Sequence, residues 1–264
     1  MTWAIVPYRN NLDQTRQTVR DLLAQTLPSQ ILLIDQGAGD PLADLQDPRV
    51  FRCRHAPPLP SLSAVWNWAL ALVWESGGTE ALVVNNDVRL HPRTYEFLLE
   101  VQSVTRAFFV SAVGVTEAQF DGIIQDPYFE ASLRHDPLQK GGPDFSCFLL
   151  TKACHDQYPF DEAFRPAYCE DLDYHRRLLL AGDGDKIFSV NLPYLHYASG
   201  TLKAMDAEAR ALLESDICSG SRAYYRQKWG GDVNQELYSR PFDPTSRGAG
   251  VTTSELQRKV QARA

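Results

Sequence analysis

Three polar residues, Asn85-Asn86-Asp87, directly follow the apolar run from Ala81 to Val84. That run is short and rich in valine, which predicts a central strand of a parallel sheet. A carboxylate at the carboxyl end of such a strand can hold a hard divalent cation that in turn binds phosphate oxygens. Asn and Asp also favour turns and helix caps for purely local reasons. On this segment alone, both interpretations of Asp87 stay open.

A second acidic segment, Glu170-Asp171-Leu172-Asp173, opens a predicted helix that ends at Ala181. The helix dipole favours carboxylates in the first turn, so their presence needs no catalytic explanation. A general base for an acceptor hydroxyl nevertheless requires a carboxylate positioned in this way. His196 lies in an apolar, strand-like setting, where a single histidine is more often a core residue than a ligand. A functional interpretation is favoured only for these residues in combination.

Strands and helices that alternate through the first half of the chain must position these residues. Strands are predicted from Trp3 to Pro7 and from Ile31 to Asp35, with an amphipathic helix from Leu12 to Gln25 between them. This alternation predicts an α/β fold with a Rossmann-like, mostly parallel sheet flanked by helices. The turn-rich segment 36–40 follows the second strand, at the edge where open α/β sheets usually bind ligands.

The second half of the chain carries weaker signals. The stretch from Glu117 to Pro143 is expected to be a long irregular loop that can form one wall of an acceptor pocket. From Pro241 onward, a mixture of Pro, Gly, Thr and Ser predicts a flexible tail. We expect a single domain over residues 1–240, with a nucleotide-binding half to about residue 115, an acceptor and catalytic half from 116, and the tail at 241–264.

The charge balance argues against one class of partner. The 264-residue chain has 33 acidic and 26 basic side chains, which leave a formal net charge of −7. This excess repels a polyanion, so broad nonspecific binding to nucleic acid is disfavoured. With 44% hydrophobic and 22% charged residues, the chain has the composition of an ordinary folded protein.

The cysteines and the N-terminal residues are used to predict the cellular compartment. The odd set of five cysteines contains no C-x-x-C pair, which fits neither a disulfide framework nor a zinc site. The segment from Met1 to Val6 runs directly into a predicted strand, without the basic region and cleavage site of a signal peptide. No apolar stretch reaches the length of a membrane span. These observations predict an unanchored cytoplasmic protein with reduced thiols.

Six short motifs follow one another along residues 3–231. They are Val6-Pro7-Tyr8-Arg9-Asn10, Leu33 to Asp40, Leu62 to Ala69 around Asn67, Leu82 to Val88, Phe160-Asp161-Glu162-Ala163-Phe164 with Cys169 to Arg176, and Lys228-Trp229-Gly230. In order and spacing they resemble the motifs of the family-2 inverting glycosyltransferases of the GT-A fold, particularly the rhamnosyltransferase-like branch. The tandem around Asp161 and Asp171 is quite specific.

The resemblance implies a site for a nucleotide diphosphate sugar. Asp87 and His196 would bind a divalent cation, Mn²⁺ or Mg²⁺, at the diphosphate. Asp171 is the implied catalytic base, with Glu170 as the alternative. The implied donor-binding residues are Pro7, Tyr8, Arg9, Asp35, Asn67, Asn85 and Asn86.

Three positions depart from the family pattern. Asn85 stands where the metal-binding D-x-D motif has its first acid, Gln36 replaces an acid of the nucleotide-binding stretch, and the small-residue helix carries Trp66 and Trp68. These departures affect nucleotide identity more than reaction type, and a UDP-sugar is favoured. The acceptor is expected to be a saccharide or another hydroxyl compound, while a protein or a modified nucleic-acid base stays open.

Two other functions compete with this interpretation. A noncatalytic nucleotide-sugar-binding or scaffold module can keep the same fold, because fold does not fix function. A nucleotidyltransferase can use a related sheet and the same cation, but it opens with a glycine-rich loop and a basic residue after the first strand. The segment from Tyr8 to Leu12 has no glycine, and only Arg9 can replace the basic residue.

Overall fold

Strands and helices alternate through the first half of the chain in the computed structural model, which describes residues 2–37, 42–135, 138–139, 143–197 and 219–262. The strands are β1 (Trp3–Tyr8), β2 (Gln30–Asp35), β3 (Val50–Arg54), β4 (Glu80–Val84), β5 (Val88–Leu90), β6 (Phe109–Val115), β7 (Leu138–Gln139), β8 (Cys147–Thr151) and β9 (Ile187–His196). Within the described ranges they form one sheet in the order β3-β2-β1-β4-β8-β6-β9-β5, and β7 pairs with β9.

The strands β3, β2, β1 and β4 lie side by side and run parallel. β1, β2 and β4 are almost entirely buried, as expected for continuous apolar runs in the interior of a covered sheet. Their pairing places Tyr8 opposite Asp35, and Asp35 opposite Arg54. The carboxyl ends of these strands therefore lie at one edge of the sheet.

The remaining strands bring a later part of the chain into the same sheet. β8 lies antiparallel between β4 and β6, while β9 pairs parallel with β6 and antiparallel with β5. In the last pairing Val88 lies opposite His196. As a result, the residue before Val88 lies beside the end of β9.

The described residues also form helices. They are α1 (Leu12–Leu23), α2 (Leu62–Glu75), α3 (Thr94–Thr105), α4 (Glu117–Gln125), α5 (Phe129–His135), α6 (Lys152–Gln157), α7 (Glu170–Ala181), α8 (219–229) and α9 (Thr253–Gln261). α1 buries Thr15, Thr18, Val19 and Leu22, the spacing of an amphipathic helix. The predicted α/β class with a Rossmann-like sheet flanked by helices is confirmed.

The described chain divides into two compact units that interleave in sequence. The first unit contains Met1–Pro58, Trp68–Gln157 and Ile187–Ala204, and the second contains Leu59–Asn67, Tyr158–Lys186 and Met205–Ala264. This division differs from the expected boundary near residue 115, because β8 and β9 complete the sheet of the first unit. The core of the first unit is the apolar interior of the sheet, and the second has a smaller core around Phe164, Tyr225 and Trp229.

The stretch from Glu117 to Pro143 is more regular than its sequence predicts, since it contains α4, α5 and β7. A capping box formed by Thr116 and Gln119 starts α4. Gly122 within this helix and Pro127 after it weaken the sequence signal, because both residues disfavour a continuous helix.

The segment from Pro241 also differs from the expected flexible tail. It contains the 3₁₀-helix Pro244–Ser246 and α9, and it folds around the fully buried side chain of Arg176. The guanidinium of Arg176 donates to the carbonyl oxygens of Tyr238 at 2.8 Å and Val251 at 2.7 Å. Because a buried guanidinium needs acceptors, this segment is part of the second unit's fold. Its Pro, Gly, Ser and Thr residues form turns and caps.

Two further findings concern the helices and the cysteines. Among the described residues, every helix is too short or too polar to cross a bilayer. The four described cysteines are free thiols, and Cys218 lies outside the described residues. Burial raises the pKa of the thiols of Cys53 and Cys147, which makes both weak nucleophiles.

Candidate functional site

Tyr8, Asp35 and Arg54 end three neighbouring parallel strands and lie in register at one edge of the sheet. Pro7 and Tyr8 are buried, whereas Arg9, the next residue after β1, is exposed. Open α/β sheets usually bind ligands at this edge, and the donor-binding role of the residues at the ends of β1 and β2 stays a prediction. Arg54 was not among the predicted site residues.

The carboxylate of Asp35 is buried and held by three donors. Its Oδ1 accepts the backbone N–H of Gly37 at 2.7 Å. Its Oδ2 accepts Nε of Arg54 at 3.0 Å and also Nη2 of Arg54. A side chain on residue 37 would place a Cβ 2.7 Å from the carbonyl oxygen of Arg9, so only glycine allows this close approach. Residues 38–41 of the predicted nucleotide-binding loop lie outside the described residues.

Asn86 joins the end of β4 to the start of α1. Its Nδ2 donates to the carbonyl oxygen of Asn10 and to the hydroxyl of Thr15, both at 2.9 Å. The backbone N–H of Asn85 donates to the carbonyl oxygen of Ser146 at 2.9 Å. The amide group of Asn86 therefore fixes the loop after β1 against the loop after β4. That role is one of positioning, and direct donor binding by Asn85 or Asn86 stays a prediction.

Asp87 and His196 are brought together by the pairing of β5 with β9. Asp87 Oδ1 lies 3.2 Å from His196 Nε2, and the backbone N–H of Tyr197 donates to the carbonyl oxygen of Asp87 at 3.0 Å. The side chain of Asp87 is 7% exposed and that of His196 is 25% exposed. Thr18 on α1 donates to the carbonyl oxygen of Val88 at 2.8 Å, which fixes the start of β5. The two residues predicted to share a cation therefore face one another.

The distance between Asp87 and His196 fits a shared cation. In an octahedral site with ligands at about 2.1 Å, neighbouring ligand atoms lie about 3 Å apart. A carboxylate oxygen and an imidazole nitrogen at 3.2 Å can become such neighbours with little movement. Among the described residues, no three His, Cys, Asp or Glu side chains cluster closely enough to form a complete protein-only site. The remaining ligands would therefore be water or donor oxygens, as is common for Mg²⁺.

Asn67 belongs to the second unit, where its amide holds the segment that begins at Phe160. Its Oδ1 accepts the backbone N–H of Phe160, and its Nδ2 donates to the carbonyl oxygen of the same residue, both at 2.9 Å. Nδ2 also lies 2.9 Å from Glu162 Oε1. The contacts of Asn67 are thus those of a residue that orders the Phe160–Phe164 motif, and its donor-binding role stays a prediction.

Glu170 opens α7 in an unusual environment for a carboxyl group. The residue is 6% exposed, and its Oε2 has no hydrogen-bond partner among the described residues. Burial, reinforced by the negative charge of Asp171, raises the pKa of Glu170 from 4.5 to about 8. The two preceding residues, Tyr168 and Cys169, both have a left-handed backbone, which costs energy for residues other than glycine. Strain and a buried acid at one turn are typical of functional sites.

Asp171 differs from its acidic neighbours. It is half-buried, and its Oδ1 accepts the backbone N–H of Leu172 at 2.8 Å. Asp173, by contrast, is fully buried and accepts bonds from Trp229 Nε1 at 2.9 Å, Lys228 Nζ at 2.7 Å and Arg177 Nε at 2.8 Å. Asp173 is therefore a structural residue, whereas Asp171 is partly exposed.

Comparisons with known proteins give the fold. No protein-family model matches the chain, and no curated protein sequence matches it. Among solved structures, the chain is similar to residues 1–349 of TarS from S. aureus, with a TM-score of 0.55 and 11% identity over 86% of this chain and 73% of that chain. It is also similar to glucosyl-3-phosphoglycerate synthase from Mycobacterium tuberculosis in complex with Mn²⁺, UDP and glucosyl-3-phosphoglycerate, with a TM-score of 0.56 and 14% identity over 84% and 79% of the two chains.

A third similar structure is the mannosyltransferase PcManGT from Pyrobaculum calidifontis in complex with GDP-Man and Mn²⁺. Its TM-score is 0.55, with 9% identity over 76% of this chain and 59% of that chain. Identities this low show the fold and no more. The chain therefore has the GT-A type of α/β fold that the sequence resemblance implied.

Proposed function

We propose that this protein is an inverting glycosyltransferase that moves a sugar from a nucleotide diphosphate sugar to an acceptor hydroxyl. The observation that carries the proposal is the 3.2 Å approach of Asp87 Oδ1 to His196 Nε2 in the sheet whose neighbouring strands end at Tyr8 and Asp35. The fold adds support, because two of the similar structures contain Mn²⁺ together with UDP or GDP-Man.

The donor nucleotide would bind along the ends of β1, β2 and β4. Asp35 offers a fixed carboxylate to the base or ribose, and Pro7 and Tyr8 form the buried wall beside it. The exposed guanidinium of Arg9 can pair with phosphate charge. Asn85 would bind ribose or phosphate, and a UDP-sugar is the favoured donor.

Asp87 and His196 would hold the divalent cation, Mn²⁺ or Mg²⁺, through Oδ1 and Nε2. A bound cation neutralises diphosphate charge and so makes the nucleoside diphosphate a better leaving group. The hydrogen bond from the backbone N–H of Tyr197 to the carbonyl oxygen of Asp87 keeps the side chains of Asp87 and His196 close together on the sheet. The chain's own contribution is thus a preformed pair of ligands, which reduces the ordering needed when donor and cation bind.

Asp171 would act as the general base, with Glu170 as the alternative. The acceptor hydroxyl oxygen forms a bond to the anomeric carbon as the bond from that carbon to the diphosphate oxygen breaks. The hydroxyl proton passes to the carboxylate, and the bonding electrons leave with the nucleoside diphosphate. Attack opposite the leaving group inverts the anomeric configuration. We favour Asp171 because Glu170, with a pKa of about 8, is protonated at neutral pH and cannot accept a proton.

The acceptor is proposed to be a saccharide or another hydroxyl compound, with a protein or modified nucleic-acid base as alternatives. Ile124 on α4 and Tyr128 in the turn between α4 and α5 are exposed, and an aromatic ring of this kind suits stacking on a sugar. A cytoplasmic location stays a prediction from the sequence.

The proposed function is tested by calorimetric titration of UDP, GDP, dTDP and CDP, each with and without Mn²⁺. The wild-type protein is compared with Asp87→Ala and with Asp13→Ala, which removes a fully exposed carboxylate from α1. We expect one nucleotide to bind in a Mn²⁺-dependent manner, with this dependence lost in Asp87→Ala and kept in Asp13→Ala.

The other outcomes separate the alternatives. Absence of binding by any of the four nucleotides would contradict the donor site. Binding without turnover of the matching nucleotide sugar would favour a noncatalytic module of the same fold. Release of pyrophosphate from a nucleoside triphosphate and a sugar phosphate would identify a nucleotidyltransferase.

A further inference from the structure

Asp144 is a carboxylate at the binding edge of the sheet to which the proposed mechanism gives no role. It lies just before β8, which pairs antiparallel with β4, so the start of β8 lies beside the end of β4. The backbone N–H of Asn85 donates to the carbonyl oxygen of Ser146 at 2.9 Å. The segment that carries Asp144 is therefore attached to the loop that carries Asp87.

The Asp144 side chain is held in place by its own segment and by β9. Its Oδ1 accepts the backbone N–H of Ser146 at 2.9 Å, and its backbone N–H donates to the hydroxyl of Ser111 at 3.1 Å. The phenol hydroxyl of Tyr194 on β9 also donates to the carboxylate. A carboxylate fixed in this way needs little further ordering when a ligand binds.

Tyr194 links Asp144 to the proposed cation ligands. Tyr194 and His196 are alternate residues of β9, so their side chains lie on the same face of the sheet. The centroids of their rings are 6.3 Å apart. Since Tyr194 bonds Asp144, the carboxylate belongs to the face of the first unit that also carries His196.

The Asp144 carboxylate is half-buried and keeps unused acceptor capacity. A carboxylate has about four acceptor positions, and among the described residues only Ser146 and Tyr194 donate to it. Gly114 on β6 is exposed, and a Cβ at this position would lie 3.4 Å from both Asp144 Oδ2 and the Tyr194 hydroxyl. Because glycine has no side chain, residue 114 leaves the carboxylate uncovered on that side.

We propose that Asp144 is a specificity-determining residue that accepts hydrogen bonds from hydroxyl groups of the donor sugar. This inference rests on the proposed function, since it takes the bound molecule to be a nucleotide diphosphate sugar. Neighbouring hydroxyls of a sugar ring can donate to the free positions of one carboxylate, and hydrogen bonds to an ionised group are the stronger kind.

The strand order places Asp144 on the side of the sugar. The nucleoside would lie at the ends of β2 and β1, whereas β8 lies on the other side of β4. The cation between Asp87 and His196 would hold the diphosphate, to which the sugar is attached. A donor that extends from β2 past this cation carries its sugar toward the segment before β8.

The test measures dissociation constants by calorimetric titration with Mn²⁺. The ligands are UDP with UDP-glucose, UDP-galactose and UDP-N-acetylglucosamine, and GDP with GDP-mannose. The variants are Asp144→Ala, Asp144→Asn and Gly114→Leu, and the last keeps Asp144 but covers it with a side chain. Asp121→Ala is the matched control, because it removes an exposed aspartate from α4 of the same unit. Thermal unfolding of each variant shows whether the fold is kept.

We expect Asp144→Ala to weaken binding of the best-bound sugar nucleotide about 10- to 100-fold, the effect of losing hydrogen bonds to a charged group. Binding of the matching nucleoside diphosphate should change less than about threefold. Asp144→Asn keeps one acceptor oxygen and should lose less affinity, while Gly114→Leu should reproduce the selective loss. Asp121→Ala should match the wild type.

The same titrations separate this proposal from the proposed function. If the wild-type protein binds a sugar nucleotide and Asp144→Ala binds it equally well, the role of Asp144 is overturned while the donor site stands. An equal loss for the sugar nucleotide and its nucleoside diphosphate would also overturn that role. If the wild-type protein binds none of the six ligands, the donor site itself is contradicted, and the role of Asp144 is contradicted with it.

Discussion

The indole N–H of Trp229 donates a hydrogen bond to Asp173 Oδ1 at 2.9 Å, and both residues are buried. The same carboxylate oxygen accepts Nζ of Lys228 at 2.7 Å. This contact ties α8 to the first turn of α7, which carries Asp171. Two segments that sequence resemblance assigned to one family pattern, the acidic segment and Lys228-Trp229-Gly230, thus form one structural cluster in the second unit.

We predict that Trp229→Phe lowers the free energy of unfolding by about 2–4 kcal/mol, because it removes a bond to a buried carboxylate and reduces the packing volume. Urea denaturation monitored by far-UV circular dichroism measures this change. Trp68→Phe is the control, since the indole ring of Trp68 packs edge-on against His55 and makes no hydrogen bond among the described residues. If Trp229→Phe lowers the free energy of unfolding no more than Trp68→Phe does, the hydrogen bond between Trp229 and Asp173 has no structural role.

The raised pKa of Glu170 predicts a pH-dependent stability. The ordinary pKa of a glutamate, 4.5, applies to the unfolded chain, whereas the pKa of Glu170 is about 8 in the folded protein. Between pH 4.5 and pH 8, the carboxyl group is therefore protonated in the folded protein and ionised in the unfolded chain. The stabilisation that comes from this difference in protonation is fully present below pH 4.5 and is lost as the pH rises through 8. The loss approaches about 1.4 kcal/mol for each pH unit within this window.

We therefore expect Glu170→Gln, which is neutral at every pH, to be more stable than the wild type at pH 8 and similar to it at pH 4.5. Thermal or urea unfolding at several pH values from 4.5 to 9 measures the difference between the two proteins. Glu100→Gln removes an exposed glutamate and should leave the pH profile unchanged. If the difference in stability between Glu170→Gln and the wild type were the same at every pH from 4.5 to 9, the raised pKa of Glu170 would be disproved.

Much of the site could be predicted from the sequence, because it lies at the ends of strands with strong signals. β1, β2 and β4 are continuous apolar runs, so the positions of Tyr8, Asp35 and Asp87 at one edge follow from parallel pairing alone. The approach of His196 to Asp87 required more information, since it depends on the register of the antiparallel pair β5 and β9. Only the family resemblance indicated it.

Arg54 was missed for a physical reason. β3 ends the described strand order and is partly exposed, so Val50–Arg54 alternates apolar with charged residues and lacks the run that marks a central strand. The fold of the C-terminal segment was missed because its partner, Arg176, is distant in sequence. Tertiary contacts of that kind leave no periodic signal.

The C-terminal segment gives a prediction that follows from Arg176. Deleting residues 241–264 removes the carbonyl of Val251 and the hydroxyl of Thr253, two of the groups that bond its buried guanidinium. The deletion also leaves Glu236 without the hydroxyl and backbone N–H of Thr253. We expect a loss of about 3–5 kcal/mol, because both members of the buried Arg176–Glu236 ion pair lose hydrogen-bond partners.

Urea unfolding of the truncated protein measures this loss, and deletion of residues 262–264 alone is the control. The shorter deletion leaves α9 intact and should change stability by less than about 0.5 kcal/mol. Equal stability of both truncated proteins would show that the segment is dispensable for the fold, as the sequence composition suggested.

Asp171→Asn separates catalysis from donor binding. The change keeps the size of the side chain and an oxygen that can accept the backbone N–H of Leu172, but it removes the capacity to accept a proton at neutral pH. We expect transfer to fall by about 10²–10⁴-fold, the usual contribution of a general base, while the dissociation constant of the nucleotide changes less than about threefold. Asp185→Asn changes an exposed aspartate of the same unit and is the control for the loss of one negative charge.

Unchanged transfer in Asp171→Asn, together with lost transfer in Glu170→Gln, would reassign the base to Glu170. That result would require Glu170 to lose its proton before the reaction, so the rate would rise with pH up to about 8.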